Sequence, residues 1–100
     1  MTEQSIKDLL QSTMGDENYK MFKADHLAIL DEGIEHILNG NIKINDKLPT
    51  TDDETLICLS KHFVTAMAAY QTLLQGLLKS DLQPDKIVVN YRGQEFVYRN

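Results

Sequence analysis

Cysteine and arginine are scarce in this chain: there is one cysteine, Cys58, and the two arginines, Arg92 and Arg99, both fall near the C-terminus. A single thiol cannot staple its own chain, so no disulfide framework is available and a reducing compartment fits. Cations of any kind are outnumbered, and the formal charge of −5 argues against a general phosphate-backbone binder, whose affinity rests on Lys and Arg. No apolar run approaches the roughly 18 residues needed to span a bilayer. The start of the chain, with Glu3 and Asp8, lacks the basic and apolar segments of a signal peptide. A cytoplasmic protein without a membrane span is therefore expected. The glycines stand singly at positions 15, 33, 40, 76 and 93, so no phosphate-cradling loop is visible. Internal repeats and low-complexity tracts are absent too.

What the chain does have is enough for one domain. Its hydrophobic content of 42% is ordinary for a globular protein, and residues 1–100 read as a helical part, 1–80, followed by a β-hairpin, 86–100. At this length the core is thin, which makes dimerisation an expected way of burying more surface.

The helical part divides at its glycines. Ile6, Leu9, Leu10 and Met14 recur at helical spacing in a short first helix that begins near Thr2 or Ser5 and ends at Gly15. Residues 16–38 form a longer helix with Phe22, Leu27, Ile29, Leu30, Ile34, Ile37 and Leu38 on a broad apolar face, stopped by Asn39-Gly40. A connector, 41–50, contains the strand-like but very short Ile42-Lys43-Ile44. Residues 51–79 then open with a capping box, Thr51 with Glu54. They carry a heptad-like seam of Leu56, Leu59, Phe63, Ala66, Tyr70, Leu73 and Leu77 as far as about Leu78. A seam of that length requires an apolar partner, either within the fold or across a dimer. Gly33 and Gly76, inside helices, are expected to permit close helix crossings.

After Pro84 the period changes to two. With Arg92-Gly93 as a two-residue loop, Ile87 opposes Tyr98 and Val89 opposes Phe96; a three-residue loop with Gly93 in a bulge would shift that register. Charge changes at the same boundary. Residues 1–85 carry −7, whereas residues 86–100 set Lys86, Arg92 and Arg99 against Glu95 for +2. Tyr91, Arg92, Phe96, Tyr98 and Arg99 thus mix aromatic faces with cations, a combination found in protein-interface hot spots and in base-stacking surfaces. An isolated hairpin is marginal in water, so Ile87, Val89, Phe96 and Tyr98 are expected first of all to cover the helical core or a dimer contact.

Groups capable of chemistry are sparse. Asp31-Glu32-Gly33-Ile34-Glu35 places carboxylates one helical turn apart, where they can share a hard cation. This run resembles the first half of the acidic signature of all-α nucleotide pyrophosphohydrolases of the MazG and dUTPase type. The resemblance implies a metal-dependent hydrolase with Glu32 and Glu35 as ligands, and it covers about five residues. The second acidic pair of those families has no counterpart, since no acid occurs from Thr55 to Ser80. Otherwise these acids form a solvated helix face. His36 shares a stripe with Asp25 and Glu32 and is expected in a surface ion pair. His26 is expected at the core edge, bonded to a neighbouring helix. His62 can face a partner or solvent. Cys58 and His62 supply too few ligands for zinc, and Cys58, past the first helical turn, is expected to be buried and structural.

The expected fold is α+β and predominantly α: a short N-terminal helix, two long antiparallel helices and a C-terminal hairpin. The expected function is that of a small non-enzymatic interaction protein of bacterial or phage type, such as a regulator, adaptor or assembly factor. It would form a homodimer through the Leu56, Leu59, Phe63, Tyr70, Leu73 and Leu77 seam or the hairpin edge, and it would need no cofactor. The alternatives are the pyrophosphohydrolase-like enzyme and nucleic-acid binding through the hairpin.

Overall fold

In the computed structural model, which describes residues 1–67 and 81–100, helix α1 spans Glu3–Met14. Thr2 caps it: the Ser5 amide donates to Thr2 Oγ1 at 3.1 Å, and the Thr2 amide donates to Ser5 Oγ at 2.9 Å. Two orphan donors are thereby satisfied reciprocally. Ile6, Leu10 and Met14, one turn apart, are the buried stripe. Gly15, at φ 86°, turns the chain directly into α2, Asp16–Leu38. Helix α2 is kinked at His26, where φ is −138° and ψ 38°. Its end is a Schellman motif: the Asn41 amide donates to the His36 carbonyl at 2.9 Å and the Gly40 amide to the Ile37 carbonyl at 3.3 Å, with Gly40 at φ 73°.

Ile42–Ile44 is a strand, β1. Its isoleucines are buried and Lys43 is exposed, as the period of two requires. Asn45 and Asp46 both take positive φ, 50° and 64°, in a tight turn closed by mutual hydrogen bonds between Ile44 and Lys47. Helix α3, Asp52–Ala66, starts at the capping box of Thr51 and Glu54. The hairpin consists of β2, Lys86–Tyr91, and β3, Gln94–Arg99. β1 pairs antiparallel with β2, which gives a three-stranded sheet in the order β1-β2-β3.

The fold is α+β and predominantly α, as its periodicities imply. Ile87 opposes Tyr98, Val89 opposes Phe96, and Tyr91 opposes Gln94. The loop is therefore the two-residue form, with Arg92 at φ 51° and Gly93 at φ 77°, the doubly left-handed turn whose twist suits a hairpin. Helices and sheet share one core, in which Leu10, Leu30, Ile34, Ile42, Leu59, Phe63, Ile87 and Val89 are almost completely buried.

Two expectations are corrected. The helix expected to continue to about Leu78 ends at Ala66, and Met67 leaves helical geometry at φ −148° and ψ 86°. The last turn holds β-branched Val64 and Thr65. The Thr65 hydroxyl bonds back to the Lys61 carbonyl at 2.7 Å and meets the Tyr98 hydroxyl at 2.6 Å, so contacts with the sheet compete with continuation of the helix. Leu56, Leu59 and Phe63 of the seam lie in the core; Tyr70, Leu73 and Leu77, like Gly76, lie outside the described residues. His36 is the second correction. Among the described residues it makes no ion pair with Asp25 or Glu32, and its ring instead packs inward on His62 and Tyr91.

Candidate functional site

The alternation of the hairpin divides the residues singled out in it. Tyr91, Phe96 and Tyr98 share a face with Ile87 and Val89 and pack, partly buried, against the helical core. Arg99 projects from the opposite face, beside Lys86, and Arg92 occupies the turn. The mixture of aromatics and cations in the sequence therefore becomes two surfaces. Two of the aromatics still meet a cation locally: the Arg92 guanidinium lies 5.0 Å from the Tyr91 ring centroid, and Lys61 Nζ lies 5.3 Å from that of Tyr98. Where α3 meets the hairpin, a cleft of about 410 Å³ is lined by Ile57, Lys61, Leu82, Ile87, Tyr98 and Arg99, among others.

The outer face of the sheet carries Lys43, Lys86 and Arg99 with Val88, Asn90, Glu95 and Val97. Lys86 is held by Asp46 at 2.6 Å, and that contact keeps the Asp46 carboxyl below the usual carboxylate range. Among the described residues neither Glu95 nor Arg99 makes an ion pair.

Where α2 crosses α3, buried His62 meets the half-buried side chains of Glu32, His36 and Tyr91. Gly33 makes the crossing possible: a Cβ there would stand 2.8 Å from His62 Cδ2 and 3.2 Å from Phe63 Cε1. His62 is completely buried, with the His36 and Tyr91 rings at 5.0 and 5.7 Å. Burial, reinforced by His36, pushes its pKa down to about 4, against a smaller opposing effect of the Ile29 backbone. Glu32 Oε1 is 3.7 Å from His62 Nε2, too far for a hydrogen bond, and with His62 neutral the two do not form an ion pair at pH 7. Among the described residues neither His62 nitrogen has a partner in good hydrogen-bond geometry. This cluster escaped the sequence reading, although the spacing of Glu32 and His36 by one turn beside Gly33 marked the face that α3 would meet.

The other candidates are placed singly. Glu35 is exposed and Glu32 is half-buried beside His62; among the described residues, no three His, Cys, Asp or Glu side chains converge closely enough to hold a metal ion. His26 is half-buried at the kink, its ring against Phe22 at 5.7 Å. Cys58 is fully buried and its thiol is pushed up to about 12 by desolvation, which leaves negligible thiolate at neutral pH. No helix among the described residues is long and apolar enough to cross a membrane.

No protein-family model, curated protein or solved structure matches the chain.

Proposed function

We propose that this is a small non-enzymatic interaction protein, a regulator, adaptor or assembly factor, that works as a homodimer in the cytoplasm and engages a protein partner through its C-terminal hairpin. The observation that carries the reading is the exposed margin of the hairpin, which pairs with no other strand among the described residues. Arg92, Val97 and Arg99 are accessible there, while the imidazole of His62 and the thiol of Cys58 are sealed in the core. Arginine beside apolar and aromatic side chains is the composition of interface hot spots, and it stands on a chain whose remainder is net acidic.

The test is affinity capture from the source cells with the wild-type protein and with the Arg92→Ala/Arg99→Ala double variant, contacts being mapped by cross-linking. A partner cross-linked to the hairpin and lost with the double variant, while circular dichroism is unchanged, supports the reading. An identical partner set for both proteins contradicts the surface assignment. Magnesium-dependent nucleotide hydrolysis abolished by Glu32→Ala would instead support the enzyme.

A further inference from the structure

Among the described residues the backbone of β3 is engaged on one side only. Its closing pair with β2 is Tyr91 and Gln94, and the Asn100 amide donates to the Asp85 carbonyl at 3.1 Å. In an antiparallel ladder bonded and non-bonded pairs alternate, so the even residues of β3 spend their amides and carbonyls on β2. Those of Glu95, Val97 and Arg99 point away from it. Among the described residues this outer edge pairs with nothing and carries no proline, no bulge and no covering helix, so the charges of Glu95 and Arg99 are the protection it has. β1 covers the other side of β2 and forms the opposite edge of the sheet, only three residues long.

The side chains on the free edge are self-complementary. Glu95 and Arg99 are exposed, lie on the same outer face, and flank Val97 at equal separation; Val97 is itself 43% exposed. Within the protomer Arg99 stands directly opposite Lys86, whose charge is already met by Asp46 at 2.6 Å, and Glu95 stands opposite uncharged Asn90. Each charge therefore lacks the cross-strand counterion that the other could supply.

We infer that β3 pairs antiparallel with β3 of a second copy of this chain about a two-fold axis at Val97, joining the two sheets into one. This deepens the homodimer of the proposed function and rests on it, and it leaves the turn at Arg92, outside the paired residues, as the part of the hairpin open to a protein partner. In that register Val97 meets Val97, and Glu95 of each copy lies opposite Arg99 of the other. Phe96 lies opposite Tyr98 on the face toward the helices. The backbone phase agrees, because the residues whose amides and carbonyls point outward are the ones brought opposite each other. A shift of the axis to Phe96 would set Glu95 against Val97 and leave Arg99 facing Gly93, which forfeits both ion pairs. Because α3 lies chiefly over β1 and β2, the half-buried Phe96 and Tyr98 are the aromatics that a second sheet would cover further. The contact is isologous, the arrangement that closes at two copies rather than propagating into a fibre.

The test is sedimentation velocity over about 10 μM to about 1 mM, a range suited to the weak association expected of a small interface, on four samples: wild type, Glu95→Arg, Arg99→Glu, and the two variants mixed. Wild type should dimerise. Each single variant turns both symmetric pairs repulsive and should raise the dimer Kd by about tenfold to a hundredfold. The mixture should restore a dimer of one copy of each, since the introduced arginine of one copy then meets the introduced glutamate of the other, and the Arg99 and Glu95 that remain unchanged meet as in wild type. As a check independent of charge, Val97→Pro, which removes an amide not used by β2, should give a folded monomer. A dimer undiminished in all variants would overturn the edge assignment and leave the homodimer standing on another surface. A wild type monomeric throughout the range would overturn both.

Discussion

Acidification should destabilise this protein through His62, and the size of the effect can be worked out. The ordinary histidine pKa is 6.5 and burial lowers that of His62 to about 4. The unfolded chain therefore binds a proton that the folded chain refuses between those values. Stability contributed by neutral burial is complete above about pH 6.5 and is lost as pH falls toward 4. Linkage sets the loss at roughly 3 kcal/mol, a large share of the roughly 5–15 kcal/mol typical of a domain. Glu32 at 3.7 Å does not cancel it, because it is partly solvated and outside hydrogen-bond reach; His36, the other imidazole in the cluster, adds repulsion. Urea denaturation at several pH values from about 7.5 down to about 4.5 measures the slope, and His62→Leu isolates the residue responsible. Since His62 makes no well-formed hydrogen bond among the described residues, the leucine variant should be close to wild type at neutral pH, and it should gain on wild type steadily as pH falls. Asp46 and Glu54, whose carboxyls are held below their ordinary values of 3.8 and 4.5, contribute stability lost at the acid end in both proteins, so they cancel in the comparison. Parallel loss of stability by the two proteins between about pH 6.5 and 4.5 would refute the reasoning.

Other perturbations follow from local geometry. Gly33→Ala should destabilise by about 1–2 kcal/mol, because strain against the buried His62 and Phe63 rings outweighs the better helix propensity of alanine; the melting temperature should fall by about 4–8 °C per kcal/mol, and an unchanged value would contradict the close crossing. Arg92→Asn should stabilise by about 0.5–1 kcal/mol, since Asn-Gly suits a turn in which residues 92 and 93 both have positive φ; urea midpoints measure it, and destabilisation would count against the turn geometry.

The readable parts of this fold were those written in local chemistry. Thr51 and Glu54 announced a helix start, Gly15 and Asn39-Gly40 announced stops, and the period of two after Pro84 marked which hairpin residues share a face, while the choice between a two-residue and a three-residue loop, and with it the register, was left to the structure. Each signal is complete within a few residues. The end of α3 was not legible, because the apolar spacing continues through Tyr70 and Leu73 while the contact that marks the end, Thr65 with Tyr98, spans 33 positions. The third strand was hidden by its brevity, although Asn45-Asp46 is a turn signal of the left-handed kind and Ile42 and Ile44 alternate with Lys43. At the candidate site, composition pooled aromatics and arginines that alternation places on opposite faces. Conversely, the bond phase that exposes Glu95, Val97 and Arg99 together could be counted from the Arg92-Gly93 turn once its two-residue form was known. The burial of His62 and the packing of half-buried His36 against it depend on how α2 crosses α3, which the helical pattern of neither segment contains.

The most direct measurement of whether this chain works by pairing its sheet edge with a second copy is amide hydrogen exchange by NMR as a function of protein concentration. The amides of Glu95, Val97 and Arg99 point away from β2, so the account predicts that they exchange quickly in dilute solution and become protected together as concentration rises, while those of Phe96 and Tyr98 are protected throughout. Glu95, Val97 and Arg99 amides that exchange at the same rate at every concentration, alongside a dimer detected by mass, would contradict it.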